Sequence, residues 1–176
     1  MTHLRDFSDS FLTEFSEVPY SRATPSGRTA PSLVAQDHQR LSGHRGGVIT
    51  TVYRVMRADE EGLPELGNTS SALGAREDYD LPVDARGLVH PNEGGMSVNP
   101  DDWRHVPKRR RPEELGGTGS HPVFAIDTDD LGPFLRFRRD PDNPVRHGFI
   151  EPAHDMSFEE YQAAIHATAA LWGRVT

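Results

Sequence analysis

The chain has 176 residues, of which 35% are hydrophobic, with 16 glycines and 14 prolines. That is enough for one loop-rich domain of ordinary size plus a segment outside any core. The formal net charge of −8 argues against a general nucleic-acid binder, because phosphate is repelled by unscreened acid. The absence of cysteine excludes disulfides and thiolate chemistry, and no apolar run approaches the ~20 residues that span a bilayer.

In chain order, Leu4, Phe7, Phe11, Leu12, Phe15 and Val18 recur at helical spacing and predict an amphipathic helix ending before Pro19. Its polar face carries Asp6, Asp9 and Glu14, which fits neither a secretory signal nor a basic membrane-surface helix. The expected compartment is therefore the cytoplasm, and export would need a route that reads no such signal. Residues 19–47 are rich in Ser, Thr, Pro, Gly and Arg and read as linker. This divides the chain into an N-terminal helix and flexible linker over 1–45 and a folded domain over 46–176.

From Val48 to Met56 the sequence is β-branched and nearly alternating, the strongest strand signal present. A short helix is placed near Ser70–Arg76. Shorter strands are predicted at Gly87–His90 and Met96–Val98, around the glycine corner Gly94-Gly95, and further strands at Pro122–Ile126, Phe134–Arg138 and His147–Glu151. Ser157 and Glu160 form a capping box. The apolar steps Phe158, Tyr161, Ile165 and Trp172 continue from it as a closing helix. Several strands followed by one helix predict an α+β fold with a small mixed or antiparallel split sheet and a C-terminal helix.

Four features could carry chemistry. Arg54 sits inside the best strand on the face of Val52 and Met56, opposite Tyr53 and Val55; a guanidinium there is either solvent-facing or lines a cleft where its fork grips phosphate. The corner at Gly94-Gly95 allows close approach of a ligand to backbone, and Ser97 just beyond could bond a ribose or an amide, although an ordinary turn has the same composition. His147 and Glu151 share one face of a strand, in a structural role or beside a cleft. Lys108–Arg111 is the one dense basic run, and between Pro107 and Pro112 it reads as a solvated loop. The nine histidines show no zinc-ligand spacing, so no metal is expected.

Read in order, three segments resemble the type six secretion exported effector two family of bacterial toxins, whose fold is similar to ADP-ribosyltransferases. They are Thr51–Val55 (TVYRV), Arg86–Val98 (RGLVHPNEGGMSV) and His147–Pro152 (HGFIEP) followed by a helix. Two positions depart from the family pattern: Met96 stands where the family has a threonine, and Glu151 where it has an apolar residue. The resemblance implies an NAD-dependent ADP-ribosyltransferase or NAD glycohydrolase effector, with NAD as co-substrate and a cognate immunity protein as partner. It implies catalytic roles for Ser97 and His147; because many ADP-ribosyltransferases use a cleft glutamate, Glu151 is added as a catalytic candidate, with Glu93 as the other candidate carboxylate. It also implies NAD contacts from Tyr53, Arg54, Gly95 and Ser97. The rival readings are a toxin that blocks its target without catalysis, an NAD-using RNA 2′-phosphotransferase working through Lys108–Arg111, and a nuclease pairing His147 with His121 or His90.

Overall fold

A computed structural model describes residues 49–176; the predicted amphipathic helix and linker lie outside the described residues. Six strands form one antiparallel sheet: β1 (Thr51–Val55), β3 (Met96–Pro100), β4 (Val123–Asp127), β5 (Leu135–Arg139), β6 (Gly148–Pro152) and β8 (Gly173–Arg174), in the order β5-β6-β3-β1-β4-β8. Two further short strands, β2 (Leu88–Val89) and β7 (Met156–Ser157), pair with each other. Among the described residues the single α-helix, α1, covers Phe158–His166. The architecture is α+β with a six-stranded antiparallel sheet and a C-terminal helix, and all the strand pairs named here are antiparallel.

Alternation decides which side of β1 meets which core. Val52 and Met56 join Phe124, Ile126, Met96, Val98 and Ile150 in the main cluster, which Tyr161, Ile165 and Trp172 close from the helical side. Val55 packs on the other face with Val106 and Val123, bordered by Tyr53, Trp103 and Leu115. Burying a side chain of this size contributes about 1.5–3 kcal/mol, so the centre of the sheet is held from both faces.

The sheet is split. Over its five residues β1 pairs with β4, but it pairs with β3 only at Val52–Pro100 and Tyr53–Asn99. The other end of β3 pairs with β6, through Met96–Ile150, Ser97–Phe149 and Val98–Gly148. Past Tyr53, β1 parts from β3, and the side chain of Arg54 enters the opening.

The capping box forms as expected: the Ser157 hydroxyl accepts from the Glu160 N–H at 3.1 Å, and the Glu160 carboxylate accepts from the Ser157 N–H at 2.9 Å. The helix is shorter than the apolar spacing predicts. Buried Thr168 bonds back to the Ile165 carbonyl at 2.7 Å and accepts the Trp172 indole N–H at 3.0 Å. This tightens the chain into a 3-10 turn at Ala169–Leu171 and turns the indole inward. The residues beyond it then pair as β8 with the edge of β4. The region 70–76 is turn and isolated bridge rather than helix. The Ser70 and Ala72 carbonyls there face the guanidinium of Arg54.

Candidate functional site

Arg54 is 6% exposed. Its guanidinium donates to the Ser97 carbonyl at 2.6 Å and to the Ser70 and Ala72 carbonyls at 3.4 Å each, while its Nε has no partner. Burial first, and then the neighbouring charge of Arg110, pull its pKa down to about 10. The guanidinium therefore spans the split, replacing ladder hydrogen bonds that β1 and β3 do not make there. Sequence reasoning brought Arg54 and Ser97 together. The structure joins them through the Ser97 main chain, with the Arg54 fork occupied by carbonyls.

Tyr53 lies on the opposite face of β1 beside Trp103 and Leu115. Its phenol pKa is raised, by burial first and then by Asp102, Asp127 and Asp101.

Gly95 has a structural reason to be glycine. Its φ is +153°, and a Cβ there would run into the Ile150 carbonyl; its N–H donates to the Asp80 carbonyl at 2.8 Å. The close approach anticipated for a ligand is made by the protein's own β6. At this end of the β3–β6 ladder the fully buried Tyr161 inserts its hydroxyl between the strands. It accepts from the Met96 N–H at 3.0 Å and donates to the Ile150 carbonyl at 2.6 Å. Burial raises the Tyr161 pKa, so this hydroxyl keeps its proton and remains a donor.

Glu151 is fully buried. One carboxylate oxygen accepts from Arg136 Nε at 2.8 Å, and the other accepts from Arg138 Nε at 2.7 Å and from the Asn92 N–H at 3.2 Å. Two guanidiniums on β5 thus neutralise the carboxylate beneath them. That arrangement is suited to fixing β5, β6 and the 91–95 turn together, and it differs from the wet-cleft position expected of a group that meets a developing cation. The alternation Leu135-Arg136-Phe137-Arg138 held the signal, since two arginines two residues apart share one strand face. Glu93 is exposed on the adjoining turn.

His147 precedes β6 and does not belong to it. Its Nδ1 lies 2.7 Å from Asp140 Oδ2, and its ring stands edge-on to Phe149 with centroids 4.8 Å apart. It lines a concavity of about 400 Å³ together with Arg104, His105, Lys108, Arg111 and Arg146. In a chain of net charge −8, this wall gathers four permanent cations and two imidazoles. The basic run is the solvated loop expected, with Lys108, Arg109 and Arg110 exposed, and it forms one wall of this concavity. The Thr118 N–H bonds the Lys108 carbonyl at 3.1 Å, the Gly119 N–H bonds the Arg111 carbonyl at 2.6 Å, and Cβ atoms on Gly117 or Gly119 would meet the backbone of Arg111 or Arg110. The close packing of this glycine segment holds like charges side by side, a pairing that a free loop would relax.

Among the described residues no hydrogen bond or ion pair directly joins the Arg54–Ser97 unit, His147 and Glu151. Also among them, no group of three or more acidic, histidine or cysteine side chains is placed to hold a metal, and no helix is long and apolar enough to cross a membrane. No protein-family model matches the chain, and no curated protein matches it in sequence.

Proposed function

We propose that the domain is an intracellularly acting bacterial toxin of the ADP-ribosyltransferase type, using NAD as co-substrate and neutralised by a cognate immunity protein. The reading rests on the ordered resemblance of three segments and on the split antiparallel sheet with Arg54 at its opening. The observation that carries it is the cationic concavity around His147. Four guanidinium or ammonium groups there complement a pyrophosphate, and the volume lies within the range of small-molecule sites. With Nδ1 turned to Asp140, the Nε2 of His147 is the atom available to a ribose hydroxyl. Ser97, half-buried on β3, would meet the nicotinamide ribose.

The reaction breaks the bond between nicotinamide and ribose, and nicotinamide leaves with the electron pair. A nucleophile on the acceptor then bonds the sugar carbon and loses its proton. Water as acceptor gives the glycohydrolase outcome. Because Glu151 is paired with two arginines, Glu93 is the carboxylate this reading has left to stabilise the cationic sugar.

Purified full-length protein incubated with NAD and a bacterial lysate should release nicotinamide. His147→Ala should abolish release while leaving the melting temperature in place. Toxicity that persists with no loss of NAD would sink the proposal in favour of a toxin that blocks its target without catalysis. The same cationic wall favours one second reading, an RNA 2′-phosphotransferase, which would consume NAD only when given 2′-phosphorylated RNA.

A further inference from the structure

The basic run borders two concavities. Lys108 and Arg111 line the His147 concavity, whereas Arg109 and Arg110 line another of about 440 Å³ together with Ser70, Ser71, Ser120 and His121. We infer that this second concavity is a phosphate-binding site in which Arg109 and Arg110 grip the anion and the serine hydroxyls donate to it.

Arg110 donates to the Ser70 carbonyl at 3.2 Å, the same oxygen that accepts from buried Arg54. Two guanidiniums thus converge on one carbonyl oxygen. Arg76 also bears on Arg54, but Asp80 is engaged by Arg76 through two side-chain hydrogen bonds, at 3.0 and 2.7 Å. Arg109 and Arg110 have no carboxylate partner among the described residues. Cations gathered without a counter-charge repel one another unless an anion joins them. Burial first, and then the neighbouring guanidiniums, lower the pKa of both Arg54 and Arg110.

Geometry then supplies the fit. The backbone of the loop is braced by the Gly117 and Gly119 contacts described above, and the Arg110 side chain is held by the Ser70 carbonyl, so little backbone ordering cost remains when a ligand arrives. A tetrahedral oxyanion accepts several hydrogen bonds at once, which matches a guanidinium fork beside hydroxyls. The unpartnered Nε of Arg54, a buried cation one carbonyl away, adds positive potential behind the site.

This site shares no lining residue with the His147 concavity and does not depend on the NAD reading. Calorimetric titration of the full chain with inorganic phosphate and with adenosine 5′-monophosphate tests it. Saturable binding is expected, falling about tenfold or more in Arg109→Ala and Arg110→Ala, since each removes a charge-assisted hydrogen bond. Both arginines are exposed, so Arg109→Ala should melt like the wild type, and Arg110→Ala, which also gives up the bond to the Ser70 carbonyl, should stay folded. Equal binding of both probes identifies a site for phosphate alone, and tighter binding of the nucleotide identifies a nucleotide site; either supports the assignment. Absence of saturable binding by both would overturn it. So would binding that is lost in Arg146→Ala and kept in Arg110→Ala, because the anion would then occupy the His147 concavity.

Discussion

Replacing Glu151 with glutamine separates a structural from a catalytic carboxylate. In the fold the carboxylate is wholly buried between Arg136 and Arg138, whose side chains are 41% and 23% exposed. Breaking a fully buried ion pair by removing one partner costs about 3–5 kcal/mol. Here solvent reaches both arginines and hydrates the stranded charge, and the amide oxygen of glutamine still accepts one hydrogen bond. The expected loss is therefore about 2–3 kcal/mol. For a domain of this size that lowers the melting temperature by roughly 10 °C. The measurement is thermal unfolding by circular dichroism at pH 7, beside a growth assay in a bacterium expressing the chain. If the domain is toxic as proposed, the toxicity of Glu151→Gln should decline only as far as its folded population does. If the variant melts within about 2 °C of wild type yet loses all toxicity, Glu151 acts on the reaction and its pairing with the two arginines is secondary.

Other outcomes follow from the same structure. Tyr161→Phe removes the hydroxyl bridging Met96 and Ile150 and leaves a buried N–H and a buried carbonyl without it; a loss of about 2–4 kcal/mol is expected in denaturant titration, and an unchanged midpoint would refute the bridge. His90 lies 3.0 Å from Asp155 and 3.3 Å from Asp84. Hydrogen bonding to Asp155 first, and to Asp84, raises its pKa above the ordinary 6.5, with Glu93 adding to the effect. Its stabilising contribution is therefore complete below pH 6.5 and fades as pH rises through the higher folded value; the melting temperature of His90→Gln should converge on that of wild type over that rise, and parallel profiles would exclude the pairing. Ser97→Ala and His147→Ala should each relieve toxicity with little change in melting, because a lost transition-state contact adds about 2.7–4 kcal/mol to the barrier; folded variants that remain fully toxic would place the site elsewhere.

The parts of the fold visible in the sequence are those that local pattern determines. β-Branched alternation marked β1, and the capping box at Ser157 marked where α1 begins. What escaped depends on distant partners. Strands β7 and β8 are two residues each, too short for periodicity, and exist through pairing with β2 and β4. The end of α1 is set by Thr168, whose hydroxyl serves both Ile165 and the Trp172 indole. For the candidate site, Arg54 stood out as a charge inside a strand, yet its acceptors are carbonyls from the 70–72 turn and β3. The spacing of Glu151 from His147 was readable, but the guanidiniums over the carboxylate come from β5. The basic run was visible as composition; its division between two concavities depends on the walls around it, which come from residues distant in sequence.

The place of β1 in the sheet also bears on how the domain assembles. The first of the described strands in chain order lies at the centre, and its partners are Met96–Pro100 and Val123–Asp127. Both pairings close long loops before any ladder bond forms, the circumstance that slows folding. The β5–β6 hairpin closes a short turn, and α1 follows soon after through the Tyr161 bond to Ile150. A nucleus of β5, β6 and α1 can therefore gather early, with β3 docking onto it through the same hydroxyl. If that nucleus forms first, β1 is left to enter between β3 and β4, and the guanidinium of Arg54 would lose its hydration only at that step.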